Sequence, residues 1–327
     1  MNARLTIVLP THNRAQYLEL ALASVLDQTD SDVVIKVCDN ASIDETPEVV
    51  ERHADPRIEY VRRPENIGWL RNFNAALADV ETDYVTVLGD DDIMRPGAMA
   101  RAIRALDATP TAGFLHTAFD LIDGEGRILE ARATWAGLTS DTLEPGREFI
   151  ERCMGMTCRV SCPSAVIRTD VLPDAPFDPA DEPVSDLTLW LRIALAHDVL
   201  YLATPGLGMR THESRASDAW HETADDGVKA QKFESIITVR DAKVRFVDNN
   251  ARQLDEVRHL RRRVRGWVAD ELTTEVRAAS VRGRGALLSA LWRAVRTAPR
   301  MLFRSRTWAL LARGILGHRF SERIRGR

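Results

Sequence analysis

The stretch "YVTVLGDDDIMRPG", residues 84–97, decides how the rest of the chain is read. Tyr84 to Leu88 is a short β-branched and aromatic run of the kind buried inside a parallel sheet. Asp90, Asp91 and Asp92 follow at its carboxyl end. Carboxylates this close repel one another. Unless a cation or a proton offsets the repulsion, at least one of them takes a raised pKa. A divalent metal is the simplest remedy.

Working outward, apolar periodicity predicts strands at Leu5–Leu9, Val33–Val37 and Ile58–Val61. Helices are predicted at Ala15–Leu26, Glu45–His53, Leu70–Ala78 and Gly97–Leu106. Such alternation implies an α/β fold, an open and mostly parallel sheet flanked by helices, with ligands bound beyond the carboxyl ends of the strands. Polar motifs collect there: "PTHNR" (10–14), "DNASIDE" (39–45) and "GDDD" (89–92). Helix capping accounts for Thr11 or Asn13, and for Ser42 or Asp44. It does not account for three adjacent aspartates, and it leaves Asp39 free to accept hydrogen bonds from a ligand. Neither G-x-G-x-x-G nor G-x4-G-K-[ST] follows the first strand, which argues against a Rossmann dehydrogenase and a P-loop NTPase. A nucleotide here needs its phosphates neutralised by a metal on Asp91 or its neighbours.

Beyond Gly113 the pattern is mixed. "GFLHTAFDLID" and "RILEARAT" read as a hairpin about "GEG", followed by a helix at "GREFIERCM", a strand at "SAVIR" and a helix at "DLTLWLRIALAH". A strand "VLYLA" then leads into a loop "TPGLG". Residues 172–186 hold four prolines and five acidic residues, too irregular for a regular element. They read as a loop over a site that delivers Asp186 to a helix start. From periodicity alone Asp186 is a helix-terminal charge, Trp190 and Leu191 are core, and His212 is structural or exposed.

Of the 327 residues, 45% are hydrophobic, enough for a sizeable core. The amino-terminal residues lack a signal-peptide pattern, and no window reaches the ~18 apolar residues of a membrane span. With few cysteines the chain reads as cytoplasmic. Cys153, Cys158 and Cys162 have the spacing of part of a zinc site but lack a paired C-x2-C, so ordinary thiols are the simpler reading. Residues 1–250 carry 25 basic against 42 acidic side chains (−17), and residues 251–327 carry 19 against 6 (+13). In the tail, arginines alternate with "ALLSALW", "MLF" and "WALLARGIL". This suits either a helix on an anionic membrane surface, at the inner face of the plasma membrane, or a helical hairpin packed on an acidic body. Without a recognition motif, nucleic acid is not an expected partner.

Six segments, "VLPTHNR", "CDNASIDET", "NIGWLRNFNAAL", "YVTVLGDDDIMRPGAM", "SDLTLWLRIA" and "RTHESRAS", resemble in order and spacing the family 2 glycosyltransferases of the GT-A fold, over about Leu5–Ser217. The resemblance implies a nucleotide-sugar half at 1–112 and an acceptor and catalytic half at 113–222, and outside it lies a helical, basic extension at 223–327. It implies a nucleoside diphosphate sugar held by Pro10, Thr11, Asn13, Arg14, Asp39, Asn40, Asp44, Asn66, Gly68, Arg71, Asn72, Asp90 and Arg210. A Mg²⁺ or Mn²⁺ ion is expected on Asp91, Asp92 and His212. Asp90 is expected at the donor ribose, and Asp92 serves the metal or an acceptor hydroxyl. The family's D-x-D begins here with Gly89, and Ser185 replaces the glutamate before the expected base, Asp186. The implied reaction is inverting displacement at the anomeric carbon. Asp186 takes the proton of a hydroxyl on a glycan, glycolipid or small-molecule acceptor, while the metal with Arg210 or His212 stabilises the departing diphosphate. The alternatives are a catalytically silent nucleotide-sugar binder and a nucleotidyltransferase.

Overall fold

The computed structural model describes residues 3–28, 32–134, 137–157, 160–211, 221–223, 229–231, 233–281 and 284–298. The chain forms two compact units, Met1–Cys153 with Cys158–His212, and Met154–Thr157 with Glu213–Arg327.

In the first unit β1 (Leu5–Thr11), α1 (Ala15–Leu26), β2 (Val33–Asp39), α2 (Thr46–His53), β3 (Ile58–Arg62), α3 (Trp69–Leu77) and β4 (Tyr84–Val87) alternate as the apolar spacing predicts. Every residue of β1 and of β4 is buried, as expected for apolar runs covered on both faces. The strands run parallel in the order β3-β2-β1-β4. Strands are thus added to one side of β1 and then to the other. At such a switch point the loops leaving neighbouring strands diverge, and a crevice opens beyond their carboxyl ends. Thr11 ends β1, and Gly89–Asp92 lie just past β4, so the topology brings the threonine and the aspartates to one crevice.

The chain continues through β5 (Ile93–Met94), α4 (Ala98–Asp107), β6 (Ala112–Ile122), β7 (Ile128–Ala133), β8 (Thr142–Glu144), α5 (Gly146–Met154), β9 (Ala165–Arg168), α6 (Ser185–Ala194) and β10 (Asp198–Arg210). The sheet extends from β4 through β9, β6, β10 and β5. Strand β9 is antiparallel to β4 and β6, β10 is parallel to β6, and the expected β6–β7 hairpin forms. Ile7, Leu9, Leu18, Leu22, Ile103 and Phe119 belong to one core that joins β1, α1, α4 and β6.

Two details differ from expectation. "TPGLG" is not a loop, because β10 runs through it with a register shift between Leu202 and Leu207. Gly206 is there for close approach rather than for a turn, since a Cβ at this position would press on the Thr117 side chain. Strands β5 and β8 are too short to leave a period in the sequence.

The second unit holds the pair β11 (His221–Thr223) and β12 (Lys229–Gln231), then α7 (Phe233–Asn249), α8 (Val257–Val281) and α9 (Arg284–Thr297). Helix α8 packs against both α7 and α9. Val239, Phe246, Val264, Trp267, Leu272 and Leu291 are among the residues buried there. Lys243 is buried beneath Trp267, its Nζ 3.9 Å from the ring centroid. Among the described residues no helix is long and apolar enough to cross a membrane.

A Cβ at Gly146 would collide with the carbonyl oxygens of Ala194 and His197. Gly146→Ala is therefore expected to cost about 1–3 kcal/mol, read as a lower urea midpoint. An unchanged midpoint would contradict this packing.

Candidate active site

The three aspartates after β4 are all buried, at 7%, 7% and 1% exposure for Asp90, Asp91 and Asp92. Their charge is met from three directions. Thr11 Oγ1 donates to Asp90 Oδ2 at 2.8 Å. Arg14 Nη1 donates to Asp91 Oδ2 at 2.9 Å and lies 3.4 Å from Asp90 Oδ1. The Arg210 amide donates to Asp92 Oδ1 at 2.9 Å. Burial, and then the Asp91 charge, push the Asp90 carboxyl up to about 6 against the opposing pull of Arg14 and Thr11. The repulsion expected from the sequence is thus relieved in part by an arginine and in part by a carboxyl that protonates easily.

Arg210 is 1% exposed and directed inward. Its Nε donates to the Asp91 carbonyl, and its Nη1 donates to the carbonyls of Asp123 and Gly124. It shapes the acidic loop from behind, whereas Arg14 faces the carboxylates.

Gly89 carries the test of whether these residues suit a divalent cation. A Cβ there would lie 2.9 Å from Asp91 Oδ1 and 3.2 Å from Asp92 Oδ2. Two carboxylate oxygens therefore converge over a residue with no side chain, which gives a physical reason for glycine at the head of the motif. Hard oxygens of this kind suit Mg²⁺ or Mn²⁺, the other ligands coming from phosphates and water. Among the described residues no three His, Cys, Asp or Glu groups are arranged to hold a metal, and His212 lies outside them. Of the three clustered cysteines, Cys153 is buried, Cys162 is half-buried and Cys158 also lies outside the described residues.

The loops after β1 and β2 are bound to each other. Asp44 Oδ2 accepts the Ala15 amide at 2.9 Å, and its Oδ1 accepts the Thr46 hydroxyl at 2.6 Å. One carboxylate so serves the starts of both α1 and α2. Burial works to raise its pKa, but these donors hold it below the ordinary value. Asn13, left-handed at φ 54°, accepts the Ile43 amide and donates its own amide to Ser42. Asparagine tolerates that backbone better than most residues. Asp39 is fully buried, with Ser42 N–H on Oδ1 at 2.8 Å and Tyr60 OH on Oδ2 at 2.7 Å. The expectation of an uncommitted acceptor is not met, because both its oxygens already receive protein donors.

Pro10 lies buried in β1 beside Cys38. Asn40 accepts the Ile67 amide and donates to Asn66, which in turn accepts the Gly68 amide. Gly68 opens α3 at φ 83°, a conformation strained for any side chain. Asn72 donates to the Cys38 carbonyl and ties α3 to β2, while Arg71 is exposed.

Asp186 occupies the first turn of α6, where its Oδ1 accepts the Leu187 amide at 2.8 Å. Burial pushes its carboxyl up to about 6, and hydrogen bonds from Leu187 and its own amide do not reverse this. The proline-rich segment before it is fixed to α3. Asn74 and Phe177 exchange two hydrogen bonds, Trp69 Nε1 donates to Glu182 Oε1 at 2.7 Å, and Phe73 meets both Trp69 and Phe177 edge to face.

A switch point of an open α/β sheet, here beside a buried acidic loop, is where folds of this class bind ligands. Residues 6–165 match the model of "Glycosyl transferase family 2", so this segment is a domain of that family. It is 30% identical over 151 residues to a GalNAc(5)-diNAcBac-PP-undecaprenol beta-1,3-glucosyltransferase of Campylobacter jejuni, covering 45% of this chain and 47% of that protein. The chain spans less than half the length of the curated relatives it matches first. In fold it resembles S. aureus TarS 1–349 in complex with UDP-GlcNAc (TM-score 0.55, 14% identity, 91% of this chain and 90% of that one). It also resembles the mannosyltransferase PcManGT of Pyrobaculum calidifontis in complex with GDP-Man and Mn²⁺ (TM-score 0.51, 18% identity, 96% and 88%).

Because a methyl group at position 89 would press on Asp91 and Asp92, Gly89→Ala is expected to cost about 1–3 kcal/mol, read as a lower urea midpoint. An unchanged midpoint would contradict the convergence of the two carboxylates.

Proposed function

We propose that the chain is an inverting glycosyltransferase that moves a sugar from a nucleoside diphosphate donor to a hydroxyl of a glycan, glycolipid or small-molecule acceptor. The observation that carries this reading is the convergence of Asp91 Oδ1 and Asp92 Oδ2 above Gly89, at the sheet's switch point. A Mg²⁺ or Mn²⁺ ion held there supplies Lewis-acid charge for the departing diphosphate. Arg14 keeps Asp91 in place, and Thr11 orients Asp90 for the donor ribose. Arg210 fixes the loop through its main chain.

Asp186 is the general base in this reading. A carboxyl near pH 6 matches the proton affinity that a base needs at neutral pH more closely than an ordinary aspartate does. Its location on a helix start, behind a segment fastened to α3, lets acceptor and donor sides be held in one register. UDP- and GDP-linked sugars are the first donors to test, since the two similar solved structures carry UDP-GlcNAc and GDP-Man. For the second unit the reading is contact with an anionic membrane surface. Leu288 and Trp292 on α9 are 55% and 62% exposed, and Arg296 lies over the Trp292 ring at 5.1 Å.

With UDP-, GDP- and dTDP-sugars and Mn²⁺, slow donor hydrolysis is expected that EDTA abolishes. Binding of every donor without cleavage or transfer to any acceptor would favour a silent binder. Since the base works ionised, the rate should rise with pH and level off above about 6. Asp186→Asn should abolish transfer yet retain donor affinity, and loss of donor binding in this variant would contradict its role.

A further inference from the structure

Helix α8 contributes Arg262, Arg265, Gly266 and Ala269 to the lining of a cavity of about 620 Å³ in the second unit. The spacing i, i+3, i+4, i+7 is that of one helix face. A face that looks between neighbouring helices ordinarily carries large apolar residues that fill the space. This one carries two small residues and two cations, which leaves a hollow with positive charge at its edge. Val244 of α7, with Val264 and Val268 of α8, makes the wall apolar.

Two further facts bear on what the hollow holds. Gly266 lies inside a 25-residue helix, where glycine costs about 1 kcal/mol relative to alanine, yet a Cβ there would meet nothing within 4 Å. Packing does not require the glycine, and a larger side chain at this position would enter open space. Arg262 and Arg265 are exposed and form no ion pair with a described residue, whereas Arg240 at the same cavity pairs with Asp241 at 2.7 Å. The sequence that follows, residues 299–327, holds eight arginines and one glutamate.

We propose that this cavity binds a single anionic lipid, with its phosphate between Arg262 and Arg265 and its acyl chain along Val244, Val264 and Val268. Free phosphate would leave the apolar wall in water, and a zwitterionic lipid would pair poorly with the arginines. A phosphate-bearing amphiphile satisfies both. The site deepens the membrane-contact reading above, because surface adsorption needs a bilayer and this cavity takes one molecule. It does not depend on sugar transfer.

The test is calorimetry of the full chain with dioctanoyl-phosphatidic acid below its micelle-forming concentration. Saturable uptake of one molecule per chain is expected, with dioctanoyl-phosphatidylcholine and inorganic phosphate each bound at least about ten-fold more weakly. Arg262→Gln combined with Arg265→Gln should weaken binding by about ten-fold or more. Gly266→Leu, which enters open space and favours the helix, should abolish uptake while the unfolding midpoint stays level or rises. Donor hydrolysis in these variants should match wild type, so the lipid site and the transferase reading fail separately. The proposal is overturned if monomeric phosphatidic acid is not taken up saturably, if phosphatidylcholine or phosphate binds as well, or if Gly266→Leu binds normally. Binding to anionic vesicles alone would leave the surface reading standing and remove the cavity proposal.

Discussion

Three buried carboxylates in succession are the constraint around which the first unit is organised. A loop of this kind is tenable only if each charge has a partner or gives way to a proton. Here the partners come from sequence-distant elements: Thr11 and Arg14 from the end of β1, and Arg210 from the end of β10. The central strands consequently meet at one point, where each carboxylate of the acidic loop receives a donor from another part of the fold.

The same economy is visible at the neighbouring loops. Asp44 terminates two helices at once, and Asn13 and Ser42 hold the β1 and β2 loops together. Asp39 is locked by Tyr60 and Ser42 rather than open. Several polar residues of these loops thus hold the loops to one another, while Arg71 is exposed. In the second unit the balance is reversed, since positive charge there faces an apolar hollow with no described acidic partner for Arg262 or Arg265.

Much of this was legible in the sequence, for physical reasons. Strands β1 to β4 are buried on both faces, so their apolar runs stand out, and the aspartates after Leu88 could not be taken for a cap. The placing of Asp186 in the first turn of α6 was equally plain, because an amphipathic helix follows a proline-rich loop. What escaped were contacts between distant residues. Nothing near Arg14 in the sequence announces that it neutralises Asp91, 77 residues away, and nothing near Trp69 announces Glu182, 113 residues away. The inward direction of Arg210 follows from carbonyls in the β6–β7 turn, which composition does not reveal. Glycines misled in "TPGLG", where they serve close packing within a strand, whereas Gly89 is explained only once the carboxylates above it are located.

In the proposed function Asp91 and Asp92, held by Arg14 and Arg210, seat a cation that grips a donor's diphosphate. Calorimetric titration of UDP and GDP, with and without Mn²⁺, into wild type and Asp91→Ala tests it most directly. Mn²⁺ is expected to strengthen uptake of at least one nucleotide in the wild type, and the variant is expected to lose this enhancement. Metal-independent uptake of equal strength in both proteins, or no uptake in either, would contradict it.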